Sequence, residues 1–405
     1  MAPDGLTIQP ADCATVDVSF VMPCLNEAQC LEPCIAAIRE ALADLEANQG
    51  LTGEIIVADN GSTDGSQALA ARLGARVVAV SEKGYGAALR GGFSAARGRY
   101  LVMGDADGSY NFREAPAMIL ALSEGADLCM GSRFKGGIKP GAMPWKNRYI
   151  GNPVLTGILN LLFKTGVSDA HCGLRALTRA CFERLNLAGS GMEFASEMVI
   201  KAALRGEVIT ERPATLSPDL RDRAPHLRPW RDGWRHLRYL IMLSPSWLFA
   251  IPAMISLAIG GGILATATAM ALFEPGVERF FGNYWVVFAS ALVGLGHIAA
   301  IMAAASHLYG VRAGYRRSMA WLDGLARWVT LETMIAAGLL SAALGLGVLA
   351  WVAVQWSART FAGAPSVLPA VLGTLMLTLG SQNILGGFML SIINGNEARF
   401  LKDAS

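Results

Sequence analysis

The chain has 405 residues, enough for two or three domains, and a formal net charge of only +2. That balance excludes a general nucleic-acid binder. With 53% hydrophobic and 16% charged residues and a mean hydropathy of +0.39, the chain is also too apolar for an ordinary soluble protein.

The opening MAPDGLTIQPADCATVD has no basic segment followed by an apolar run, so no signal peptide is expected. A β-rich run at 17–23 (DVSFVMP) precedes a helical pattern from about 28 to 45. Strand EIIVAD follows at 54–59, then a helix near 65–73, strand RVVAV at 76–80 and a helix at 84–97. Strand YLVMG at 100–104, a helix near 113–124 and DLCMGS at 127–132 continue the alternation. Strand and helix in turn predict parallel βαβ units joined by right-handed crossovers. Such sheets bind ligands at the carboxyl ends of their strands. Pro23, Asp59, Asp105 and Arg133 all fall at that edge.

Beyond about residue 144 the pattern becomes more helical. Arg221, Arg223, Arg228, Arg231, Arg235 and Arg238 interleave with Trp230, Trp234, Leu237, Leu240 and Ile241 at helical spacing. A helix with an arginine face and an aromatic-aliphatic face suits a membrane surface. Four apolar segments then run at about 247–272, 284–308, 331–356 and 366–393, each long enough to cross a bilayer. The connection between the second and third carries Arg312, Arg316, Arg317 and Arg327, against single arginines at 279 and 359 in the others. The positive-inside rule puts that loop, and with it both termini, in the cytoplasm of an inner-membrane protein. The seven cysteines lie at 13, 24, 30, 34, 129, 172 and 181 without a CxxC pair. They read as reduced thiols packed as small hydrophobes. The five histidines show no metal-ligand spacing, and GYGAAL at 84–89 lacks the third glycine of a dinucleotide loop.

Two carboxylates, Asp105 and Asp107, close the strand at 100–104. Like charges so near each other disfavour ionisation. A divalent cation relieves that, because Mg²⁺ or Mn²⁺ takes one or two carboxylates together with substrate phosphates.

In order along the chain come VMPCLNE (21–27), VADNGSTDGS (57–66), KGYGAALRGG (83–92), GDADGSY (104–110), GSRFKGG (131–137) and DAHCGLRALTR (169–179). Together these segments resemble a family 2 glycosyltransferase of the GT-A fold, in particular the polyprenyl-phosphate glycosyltransferases that include dolichyl-phosphate mannose and glucose synthases. The resemblance covers about residues 16–230. It implies an α/β, Rossmann-like nucleotide-sugar domain at 16–225 after a tail at 1–15. An interface helix at 226–246, a four-helix transmembrane domain at 247–393 with a second interface helix at about 313–329, and a tail at 394–405 complete the expected order.

The resemblance also implies roles. Pro23 and Glu27 would line the nucleotide, and Asp59 would hold base or ribose. Asp105 and Asp107 would be the DxD pair that holds Mg²⁺ or Mn²⁺ and, with Arg133, the catalytic set. Arg133 and Arg148 would grip the acceptor's lipid phosphate. Arg221 and Arg228 would contact the donor diphosphate. Ser109 stands where related synthases carry a glutamine, and Asp169, Arg175 and Glu193 receive no individual role. The implied reaction is inverting transfer of one hexose from a UDP- or GDP-sugar to an undecaprenyl or dolichyl phosphate at the lipid bilayer, with a homo-oligomer possible. Two alternatives stand beside it. A processive polysaccharide synthase would carry a QxxRW-like motif, where this chain has RPWRDGW. A non-catalytic membrane protein would merely bind nucleotide sugar.

Overall fold

A computed structural model describes residues 16–221, 229–273, 280–314, 316, 328–358 and 366–395. Arg228, the N-terminal tail, residues 396–405 of the C-terminal tail and most of the second expected interface helix lie outside the described residues. The chain divides into two units, Met1–Leu240 and Ile241–Ser405.

The first unit is a helix-flanked sheet. Its strands are β1 (Val18–Cys24), β2 (Gly53–Asp59), β3 (Arg76–Ala79), β4 (Tyr100–Met103), β5 (Leu128–Ser132), β6 (Arg175–Thr178) and β7 (Ile209–Pro213). They lie in the order β3-β2-β1-β4-β6-β5-β7. The first four pair in parallel, as the alternation predicts, with α1 (Ala28–Gln49), α2 (Ser66–Arg72) and α3 (Tyr85–Ala95) as crossovers. β1 and β4 have no exposed residue, which is why they read as continuous apolar runs.

The sheet is not all parallel. β6 enters between β4 and β5 and runs antiparallel to both. Four residues give no measurable period, and this strand opens on an arginine, so the sequence pattern does not announce it. Arg175 is fully buried, donating to the carbonyls of Cys172 (2.8 Å) and Ala170 (2.9 Å) and to that of Ala195. Its guanidinium ties the turn before β6 to α8 (Glu193–Arg205), so the residue is scaffold. Between β4 and β6 the unit carries α4 (Ala115–Ser123), the single turn α5 (Arg133–Gly136) and α6 (Asn152–Phe163). Helix α7 (Arg179–Leu185) follows β6, and α9 (Pro229–Met242) stands where the arginine-tryptophan pattern predicts a helix.

The core under the sheet gathers Phe20, Met22, Leu31, Ile35, Ile38, Val102, Phe112, Ile119 and Leu174. The six cysteines among the described residues are all buried thiols. Burial pushes Cys34, Cys129, Cys172 and Cys181 up to about 12, so they behave as packing groups.

The second unit contains four helices long and apolar enough to cross a membrane: Ser246–Phe273, Asn283–Arg312, Leu331–Ala358 and Leu368–Ile393. The last two pack through paired glycines. A Cβ at Gly338 would stand 2.7 Å from the Gly380 carbonyl, and one at Gly345 would stand 2.6 Å from that of Gly373. Small residues let such backbones approach closely. Gln382 meets His297 Nδ1 at 2.9 Å across two of these helices.

Candidate active site

The carboxyl ends of β1, β2 and β4 meet at one edge, and the loops leaving them are stitched together. After β1, Asn26 takes φ +59°, a conformation its short polar side chain tolerates. Its Oδ1 accepts from Thr63 N at 2.8 Å, and its own N donates to Ser62 Oγ at 2.9 Å. Glu27 N donates to Ser66 Oγ (3.1 Å) and Ala28 N to Asp64 Oδ2 (3.0 Å), which seats the start of α1 against the β2 loop. Pro23 lies in β1 opposite Ala58, one position before that loop.

Asp59 is buried and its carboxylate is occupied from within. Gly61 N (2.9 Å), Ser62 N (3.2 Å) and Gln67 Nε2 (2.6 Å) all donate to it. Burial alone would raise its pKa, but the hydrogen bonds from Ser62, Gly61 and Gln67 outweigh it and hold the carboxyl below the usual range. Asp59 therefore shapes the 60–62 turn at the very position where the resemblance places the nucleoside. Asn60 does similar work on the next loop: its Nδ2 donates to the Val80 (3.1 Å) and Glu82 (2.6 Å) carbonyls, and its Oδ1 accepts from Gly84 N (2.8 Å).

The acid pair follows β4. Asp105 is half-buried, and Tyr85 at the start of α3 donates its hydroxyl to Asp105 Oδ1 at 2.9 Å. Burial, and then the charge of Asp107, push the Asp105 carboxyl up to about 6. Gly173 packs against Asp105 from the other side, and Gly173 N donates to Tyr110 Oη at 2.8 Å. Asp107 is buried. Its Oδ1 accepts from Ser109 Oγ (2.6 Å) and Ser109 N (3.0 Å). Its Oδ2 faces Arg221 Nη2 at 3.1 Å.

Arg221 also holds Glu27, with Nε 3.0 Å from Oε2 and Nη2 3.0 Å from Oε1. One guanidinium thus bridges the acid that begins α1 and the second acid of the DxD. The strap that carries it is tied down by backbone bonds, Leu220 N to Asp107 O and Ser217 N to Ser109 O, both 2.9 Å. Glu27, Asp107 and Arg221, far apart in sequence, form one charged cluster beside Asp105.

Arg133 stands at the end of β5. Asp169 grips it twice through the side chain, Nε to Oδ2 and Nη2 to Oδ1 both at 2.7 Å, and accepts from its backbone N at 3.0 Å. Arg133 is 7% exposed and Asp169 is 0% exposed, so this is a buried pair. Nη1 takes no part in it. Arg148 lies in the turn Asn147–Gly151, with Cζ 5.4 Å from the centre of the Tyr149 ring. Glu193 caps its own loop, accepting from Gly191 N at 3.0 Å.

Several positions escape sequence reasoning. Tyr85, Tyr110 and Asn60 are neutral, and their roles come from contacts that the chain fold alone creates. The signal for Tyr85 lies in its flanking glycines. Gly84 has φ +134°, and a Cβ there would run into the Ser190 carbonyl, so only glycine lets the 188–191 loop close on the start of α3.

Among the described residues no group of three His, Cys, Asp or Glu forms a ready-made metal cage. The donor set nonetheless fits Mg²⁺ or Mn²⁺. These ions take one or two carboxylates and fill their remaining positions with phosphate and water. Asp105 and Asp107 are such a pair, with Arg221 as the cation already beside it.

Residues 19–185 match the family described as Glycosyl transferase family 2, and residues 304–394 match the Glycosyltransferase family 2 C-terminal transmembrane region. The low-salt glycan biosynthesis hexosyltransferase Agl6 of Haloferax volcanii is 35% identical over 376 residues, covering 92% of this chain and 88% of that protein. The dolichol-phosphate mannosyltransferase of Pyrococcus furiosus is 28% identical over 264 residues, covering 63% and 72%. Among solved structures, a Mycobacterium tuberculosis glucosyl-3-phosphoglycerate synthase in complex with Mn²⁺, uridine diphosphate and phosphoglyceric acid aligns with 56% of this chain and 77% of its own. Its identity is 25% and its TM-score 0.42.

Proposed function

The chain belongs to glycosyltransferase family 2, a membrane glycosyltransferase with a GT-A sheet, and on that premise we propose that it transfers a single hexose from a UDP- or GDP-sugar to a polyprenyl phosphate at the cytoplasmic membrane face. The observation that carries this reading is the charged cluster at the sheet edge, where Arg221 pairs with Asp107 and Glu27 beside Asp105. Relatives named for hexosyl transfer and for dolichol phosphate support the sugar and the lipid class. The Arg-rich connection from Arg312 to Arg327 supports the cytoplasmic orientation.

The proposed roles combine the family resemblance with the contacts described above. Asp105 and Asp107 would hold the divalent cation, and Tyr85 and Ser109 fix the two carboxylates in place. When bound, that ion neutralises charge on the departing diphosphate. Pro23, Glu27 and Asp59 line the nucleoside side of the cleft. Arg221 exchanges its carboxylate partners for the donor diphosphate, whose two oxygens suit its planar fork. Arg133, oriented by Asp169, offers Nη1 to the acceptor phosphate, and Arg148 supplies a second cation for it. A phosphate nucleophile is already an anion, so positioning and charge neutralisation carry the rate. In-line attack at the anomeric carbon inverts its configuration.

The test is a panel of labelled sugar nucleotides incubated with membranes that contain the full chain, with and without a chelator. A lipid-soluble product from one donor, carrying one sugar per lipid and lost on chelation, supports the proposal. A polymer points to the processive synthase, and no product with any donor points to a binding protein.

A further inference from the structure

A carboxylate on the outermost strand of a sheet ordinarily faces water. Glu211 does not. It stands in β7, the last strand of the sheet, opposite Met130 of β5, and its side chain is only 7% exposed. Its Oε1 accepts from Ser168 N (2.6 Å) and Asp169 N (3.2 Å). Its Oε2 accepts from Lys135 Nζ (2.6 Å) and from the Ser168 hydroxyl (3.0 Å). Ser168 Oγ also lies 2.7 Å from Ser132 Oγ, and Ser132 is fully buried. A hydroxyl has one proton and a carboxylate ion only accepts, so these bonds run in one direction, from Ser132 to Ser168 to Glu211.

Each of these contacts leads to Arg133. Ser132 precedes it in the chain, Lys135 follows it by two residues, and Asp169 is the anion that holds its guanidinium. One carboxylate thus pins the segment that carries the arginine to the segment that carries its partner. A guanidinium is planar, so with Nε and Nη2 bound to Asp169 the direction of Nη1 is fixed as well. Any shift of residues 168–169 turns that arm. We propose that Glu211 is a positioning residue: by holding Ser168 and Asp169 in place, it sets the direction in which Arg133 presents Nη1 to an anionic acceptor. The amide bonds carry the effect. Lys135 is 51% exposed, and an ion pair with so much water access adds little. The part that concerns the acceptor rests on the transfer reading above, whereas the hold on Arg133 does not.

The experiment uses the full chain in detergent, with ¹⁵N at the arginine Nε atoms. The magnetic-resonance signal lost in Arg133→Gln identifies Arg133. Glu211→Ala should shift that signal and speed its proton exchange with water at least about fivefold. Glu211→Gln should stay near the parent, because its side-chain oxygen still accepts from the two amides, and so should Lys135→Met. If the alanine variant does not fold, Glu211→Asp carries the same test, since it keeps the charge and draws the oxygens back by one methylene. Transfer to citronellyl phosphate, a short prenyl phosphate, gives the second readout. Glu211→Ala should raise the acceptor KM about five- to fiftyfold, with kcat and donor KM within about twofold of the parent, and Glu211→Gln should recover most of that loss. An Arg133 signal unchanged in Glu211→Ala and Glu211→Asp would overturn the proposal. So would equal changes at every arginine signal, the mark of general loosening. A displaced Arg133 signal with an unchanged acceptor KM would uphold the positioning and fault the assignment of Arg133 to the acceptor.

Discussion

Replacing Asp169 with alanine should be among the most damaging single changes in the catalytic unit. The carboxylate is fully buried and takes three hydrogen bonds from Arg133, at 2.7, 2.7 and 3.0 Å. Its removal leaves a guanidinium in the interior with no counter-charge, and breaking a buried pair in this way costs about 3–5 kcal/mol. For a unit of this size each kcal/mol lowers the melting midpoint by about 2–4 °C, so the expected fall is about 6–20 °C. Thermal unfolding of the full chain in detergent, followed by intrinsic fluorescence, measures it. The double variant Arg133→Met/Asp169→Leu should regain most of the loss, because no charge is then left unpaired. Acid adds a signed check. Burial raises the Asp169 pKa, but the Arg133 hydrogen bonds and charge outweigh it and leave the carboxyl below its ordinary value. The pair's contribution is therefore complete above the unfolded pKa of about 4 and is lost as pH falls below it. A fall of under about 3 °C for Asp169→Ala, or a double variant no better than the single, would refute the reasoning.

Tyr85→Phe removes the hydroxyl that donates to Asp105, a hydrogen bond to a charged group worth about 1.5–3 kcal/mol. A loss of about tenfold or more in Mn²⁺-dependent donor binding by calorimetry is expected, with the melting midpoint lowered by about 3–12 °C. Arg221→Gln separates two roles, because the guanidinium is both a rival cation at Asp107 and the proposed grip on the diphosphate. Mn²⁺ affinity without donor, read by electron paramagnetic resonance, should rise, while transfer should fall about 10- to 100-fold. Both quantities moving in the same direction would rule out the dual role.

β1, β2, β4 and β5 are legible in the sequence because they are mostly buried and read as apolar runs, and the partly buried β3 is legible from its Val77-Val78 pair between turns. β6 and β7 are not. One has four residues and begins with the buried Arg175, and the other, ITERP at the sheet edge, sets one apolar residue before three polar ones and a proline and so has no alternation to read. At the site, the acid pair is legible because two carboxylates closing a core strand demand a counter-charge. Which charge answers them is not, since Arg221 is 114 residues from Asp107 along the chain and only the strap at 217–221 brings it there. Arg133 shows the same limit from the other side. Its motif marks it as a phosphate ligand, yet its nearest anion is Asp169, 36 residues later. The neutral groups Tyr85 and Asn60 leave no trace of charge or period, because their partners exist only after the loops have met.

Transfer of labelled hexose into membrane lipid by the full chain, comparing Asp107 with Asp107→Ala at saturating metal and donor, tests the central claim most directly. Loss of lipid-linked product with Asp107→Ala, while the melting midpoint stays near that of the parent, is the result predicted for a carboxylate that holds the cation. Product formed at the parent rate would contradict it.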